Sequence, residues 1–335
     1  MNLLFYLLVF LLVLIVSSTT NKLLPFLPMP LIQILLGIGI WLCLPNNQYH
    51  LDTELFLALV IGPLLFREAQ EADITSILKH WRIVLYLIFP VIFISALSMG
   101  GVAHVLWASL PLAACVAVGA ALGPTDLVAF ASLSQRFSFP KRVSNILKGE
   151  GLLNDASGLV AFRMALIAWT TGTFSLTQAG TSLIISIVGG FAVGFITALI
   201  NRFLHTFLLS VRATDIASEL LLELSLPLLT FFIAEEIHVS GIIAVVVAGI
   251  LKASRFKKIN LLEAQVDTVT ETVWQTVTFM LNGSVFVILG MELEMIAEPI
   301  LKSAFYNKVL LLLSVFLLTF LLFAIRFVMI YGFYA

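Results

Sequence analysis

Two short stretches carry side chains able to do chemistry in an otherwise apolar chain. One is Lys148-Gly149-Glu150-Gly151-Leu152-Leu153-Asn154-Asp155-Ala156-Ser157-Gly158, and the other is Ala120-Ala121-Leu122-Gly123-Pro124-Thr125-Asp126-Leu127. On a helix Glu150 and Asn154 share one face, and Gly151 and Asp155 share the neighbouring one. Asn154 can donate to Glu150 or to a carboxylate across a helix gap, and Gly151 leaves room beside Asp155 for an ion or a water. Burial favours the neutral acid and a nearby cation favours the carboxylate, so a proton and a cation would compete for Asp155. Competition at a single carboxylate is sufficient for exchange. A structural polar cluster between helices is the alternative reading of the same residues.

In the second stretch Gly123 and Pro124 weaken the helical ladder and leave backbone groups unpaired. At membrane depth this is tolerated only where protein or a water-filled cavity satisfies them. Such an interrupted helix is the best pointer in a sequence to an ion site of a secondary transporter. The alternative is an ordinary proline kink with a solvated Asp126 at a helix end. A more distant one is an intramembrane aspartyl protease, with two Asp sharing a proton as general acid and base. Those proteases carry Tyr-Asp and Gly-x-Gly-Asp signatures, whereas this chain has Thr-Asp and Asn-Asp. A transporter and not an enzyme is therefore expected.

The elements that must hold these residues follow from composition. Of 335 residues 61% are hydrophobic and 11% charged, with a mean hydropathy of +1.10; soluble domains carry about 25% charged residues. Long apolar runs with short polar gaps, and no alternating pattern, read as an all-α polytopic integral membrane protein and not a barrel. A carboxylate midway along such a segment costs at least ~2.5 kcal/mol, which makes Asp155 a functional candidate by default. No basic patch suited to nucleic acid stands out. Cys43 and Cys115 sit in apolar spans as small hydrophobes, and the histidines lack metal-ligand spacing. No cofactor is expected.

Apolar runs bounded by charge, Pro or Asn predict eleven helices over 2–18, 26–44, 54–66, 82–99, 109–134, 143–169, 177–201, 215–236, 239–252, 273–292 and 305–333, with 260–272 along the interface. The first is read as a helix and not a signal peptide. Of the eighteen Lys and Arg residues, fourteen fall in alternate connections and only Lys302 and Lys308 in the others, while Arg163 and Arg326 lie inside helices. That split places the N-terminus outside and the C-terminus of the chain in the cytoplasm. Asp126 and Asp155 then lie roughly 15 and 20 Å from the cytoplasmic ends of their helices, at similar depth. Arg163 is expected to snorkel at the outer end of the sixth helix, and Glu235, Glu236 and His238 to be solvated in an external turn. Arg326, deep in the eleventh helix, needs an acidic or carbonyl partner.

Gly123-Pro124-Thr125-Asp126, the Gly149 to Val160 segment, Val239-Ser240-Gly241-Ile242-Ile243-Ala244-Val245-Val246-Val247-Ala248-Gly249 and Leu281-Asn282-Gly283-Ser284-Val285-Phe286-Val287-Ile288-Leu289-Gly290-Met291-Glu292-Leu293 occur in this order. In order and spacing they resemble the signatures of bacterial sodium/proton antiporters of the NhaP and NHE-like type, the monovalent cation:proton antiporter-1 family. The resemblance implies a thirteen-helix inverted-repeat fold in the bacterial plasma membrane, a homodimer, and a core domain moving by alternating access. It implies electroneutral exchange of Na+ or Li+, or K+, for H+, and hence sodium transport and pH homeostasis. Asp155 would carry the exchanged charge with Asn154 in support. Thr125 and Asp126 would help to coordinate the transported cation, and Glu150 would organise the site through an ion pair.

Three departures from the family pattern matter. Leu127 stands where a proline is common, and Gly151 where many members have Ser. The chain ends at Ala335 without the Gly-x-Arg-Gly segment and two further helices, so Glu150 is expected to lack its Arg. On this reading the chain is a single antiporter-like domain lacking its last helices. It would be a truncated antiporter, a non-transporting fragment, or one half completed by a separate polypeptide.

Overall fold

The structure is a computed structural model describing residues 3–43, 52–73, 75, 79, 81–125, 140–172, 176–211, 215–253, 261–302 and 308–334. Every regular element among them is helical, and the segments join into eleven continuous rods. These are α1 (Leu3–Leu23), α2 (Met29–Cys43), α3 (Thr53–Phe56, Leu57–Ile61 and Gly62–Glu71), α4 (Trp81–Tyr86, Leu87–Val91 and Ile92–Leu106) and α5 (Leu112–Leu122). Then follow α6 (Lys141–Thr171), α7 (Leu176–Ser210), α8 (Ile216–Glu236), α9 (Gly241–Ala253), α10 (Leu261–Lys302) and α11 (Lys308–Tyr334).

The middle pieces of α3 and α4 are π-helical, and each has a proline beside or inside it, Pro63 and Pro90. A proline offers no N–H and its ring crowds the carbonyl four residues back, which a wider turn accommodates. α6 ends on Gly172 with φ at 68°, a left-handed cap that a Cβ would strain. Asp215 caps α8 by accepting the Ser218 N–H at 2.8 Å, and these hydrogen bonds hold its carboxyl below the usual range. A depressed carboxyl stabilises the fold above its unfolded value and loses that effect on acidification, so this cap weakens as pH falls.

Two boundaries differ from expectation. The segment 261–272 does not lie apart along the interface. It continues into α10, because no Gly or Pro occurs between Leu261 and Leu281 to break the helix. α7 runs on to Ser210, so Arg202 sits inside a helix and not in a loop.

The rods sort into two packed halves. α4, α5, α6 and α11 form one, with Met99, Ala103, Cys115 and Leu318 in its core. α1 to α3 and α7 to α10 form the other around Phe66, Phe231, Val245, Val246 and the fully buried Trp274. The halves meet chiefly where α6 lies against α3 and α9.

Among the described residues, four rods contain stretches long and apolar enough to cross a membrane, Ile184–Ser210, Ile216–Glu236, Thr268–Leu293 and Val309–Gly332. Large apolar side chains such as Phe191, Phe203, Phe316, Phe320 and Phe327 point outward from them. Apolar surface on that scale suits lipid and not water.

Candidate functional site

The site is built on the broken end of α5. Pro124 cannot donate to the carbonyl four residues back, so the helix stops at Leu122 and the Gly123 N–H turns to Ala120 O, three residues back, at 3.4 Å. The last carbonyls of α5 then lack helical partners. One of them, Gly123 O, accepts from Arg326 Nη2 of α11 at 2.9 Å. The same nitrogen lies 3.0 Å from Glu150 Oε1 of α6, and Thr125 Oγ1 donates to that oxygen at 3.3 Å. Glu150 is 2% exposed, so this carboxylate sits inside protein and binds three elements together.

This arrangement overturns the expectation that the partner of Glu150 is missing from the chain. α11 packs on α4, with Ile325 against the Met99 and Cys115 core, and that docking sets Arg326 level with the end of α5. Both kinds of partner anticipated for Arg326, an acid and a carbonyl, are present. Its Nε is buried without a hydrogen-bond partner among the described residues.

The helices approach closely because their contact faces are small. Ala96, Ala120 and Ala161 meet between α4, α5 and α6, and a Cβ on Gly119 would overlap Ala96 O. A Cβ on Gly158 would overlap the Pro124 ring, which is rigid and adjoins Thr125. Gly158→Ala is therefore expected to lower stability by about 1–3 kcal/mol, the usual cost of overpacking. Thermal unfolding in detergent checks this, and an unchanged midpoint would mean that the broken end of α5 yields freely.

The remaining predicted site residues are placed less fully. Asn154 and Asp155 lie within α6, one turn beyond Glu150 and Gly151, but their side chains are outside those described. Gly151 is buried. Asp126 follows Thr125 directly and lies outside the described residues. Thus Thr125, Glu150 and Arg326 are brought together, with Gly123 O as a member that residue chemistry alone did not suggest. No group of three or more metal-ligating side chains occurs among the described residues. Arg163 is exposed, as expected for a snorkelling side chain, whereas half-buried Glu235 accepts the Gly241 N–H at 3.3 Å at the start of α9.

A family model described as sodium/hydrogen exchanger, transmembrane, matches residues 7–335. The chain belongs to this exchanger family. Its members are secondary transporters and not enzymes. The chain is 35% identical over 328 residues to a sodium, potassium, lithium and rubidium/H(+) antiporter of Bacillus subtilis, covering 98% of this chain and 49% of that protein. It is 34% identical over 319 residues to an antiporter of the same description from Bacillus pumilus, covering 95% of this chain and 48% of the relative. The chain thus spans about half the length of these exchanger relatives. Its fold is similar to that of the sodium proton antiporter MjNhaP1 from Methanocaldococcus jannaschii, with a TM-score of 0.64 at 19% identity over 87% of this chain and 71% of that one.

Proposed function

We propose that the protein exchanges a monovalent cation for a proton across the membrane, with Asp155 as the carboxylate both ions compete for. The observation that carries this reading is the buried Glu150–Arg326 pair bound to the broken end of α5. It supports an irregular backbone at membrane depth, one turn from Asp155. Such backbone survives in a membrane only where protein or a cavity satisfies it, and a fixed ion pair does so here. With Arg326 neutralised by Glu150, the charge of Asp155 is left for the transported cation. Thr125 adjoins that place through its hydrogen bond to Glu150, and Asp126 follows it in the chain. Na+, K+ and Li+ are the candidate cations, as the descriptions of the two relatives suggest. A homodimer in the bacterial plasma membrane, N-terminus outside, belongs to the same reading and rests on the family resemblance and the basic-loop asymmetry.

The test is direct. The purified protein goes into vesicles containing a pH-sensitive dye, and an imposed gradient of Na+, Li+ or K+ is expected to drive protons the opposite way. An electroneutral exchange would leave that flux unchanged when the membrane potential is clamped. Absence of proton movement with all three cations overturns the proposal.

A further inference from the structure

The half of the molecule that lacks Asp155 holds a second buried charge cluster. Glu223 of α8 is 8% exposed and divides its two oxygens between two helices. Oε2 lies 2.7 Å from Lys252 Nζ in the last turn of α9, and Oε1 accepts from Gln70 Nε2 of α3 at 2.5 Å. Lys252 also donates to Asn201 Oδ1 of α7 at 3.1 Å, and Asn201 Nδ2 reaches back to Leu222 O of α8 at 3.4 Å. On α3, Arg67 donates to Gln70 Oε1 at 3.4 Å and pairs with Glu271 of α10. One carboxylate is therefore the centre of a connected polar chain through five helices. The two helices joined to its separate oxygens, α3 and α9, are the members of this half against which α6 packs.

Well-packed apolar residues would hold such a joint at least as firmly as a buried ion pair, so stability alone does not account for these charges. What a bidentate carboxylate adds is registry, because its two oxygens fix the donors from α3 and α9 relative to each other. We propose that Glu223, Lys252 and Gln70 are positioning residues that keep the α3–α9 surface in register as a track for α6. The idea rests on the antiport reading, in which α6 carries Asp155 and moves relative to that surface.

Two variants avoid stranding a buried charge. Gln70→Leu cuts one arm, and Glu223→Gln with Lys252→Met removes both charges together. In vesicles each is expected to lower turnover by about tenfold, within the range by which network substitutions alter coupling. The cation concentration giving half-maximal flux should stay within about twofold, because no ligand of the cation is touched. Lys252→Arg, which retains the charge, should recover most of the turnover. Spin labels on α3 and α9 should report a broader distance distribution in Gln70→Leu than in the parent protein, with no transport required. Unchanged turnover, a loss carried by half-saturation alone, or an unchanged α3–α9 distribution each overturns the proposal. A parent protein that moves no protons sinks the antiport reading instead, and the spin-label distances then still decide whether this cluster holds the track.

Discussion

Asp155→Asn is expected to abolish cation-driven proton flux, leaving vesicles indistinguishable from those without protein. The amide keeps the shape of the side chain but cannot take a proton at neutral pH or supply a negative charge to a cation. Both ions lose their site in one change, so the loss should be complete and not a shift in affinity. Persisting flux in this variant would remove Asp155 from the proposed role. The wild-type protein offers a companion measurement. If proton and cation compete for one carboxylate, the half-saturating cation concentration should rise as pH falls, by about tenfold per unit once the protonated form dominates. Asp126→Asn, which leaves Asp155 in place, is expected to weaken cation dependence without erasing it.

Much of this molecule was legible in the sequence because a bilayer leaves few choices. Long apolar runs must be helices, and a Gly-Pro pair inside one weakens its hydrogen-bond ladder, so the all-helical class and the break at Gly123–Pro124 could both be read from residue types. Boundaries failed where no chemical punctuation exists, as in 261–272, which continues α10 in the absence of Gly or Pro. Arg326 could be recognised as needing a partner, and Glu150 likewise. Joining them required the packing of α11 on α4, which brings together residues 176 positions apart and leaves no local trace. The family pattern implies an Arg from a different segment as the partner of Glu150, whereas Arg326 of α11 fills that place. Lys252 illustrates a related limit. Counted as a basic residue of a connection in the topology argument, it lies in the last turn of α9 with its side chain 11% exposed against Glu223. Charge counting registers position along the chain, whereas burial depends on which helix lies opposite.

Arg326→Met should be the most destabilising single change in the site, and its cost arises at Glu150. Removing the guanidinium takes the cationic partner from a carboxylate of 2% exposure and deprives Gly123 O of its side-chain donor. Breaking a buried pair from one side typically costs about 3–5 kcal/mol, because the surviving charge loses its opposite partner. Glu150→Gln combined with Arg326→Met removes both charges and should restore much of the lost stability, since the double variant leaves no isolated ion. Thermal unfolding of the two single variants and the double one forms a mutant cycle that isolates the pair. The double variant also separates two roles that stability alone confounds. If the pair only fills space, folding and flux return together. If it holds the end of α5 in place for Thr125 and Asp126, the double variant folds but exchanges poorly, because Gly123 O and Thr125 then lose the charged groups of this pair.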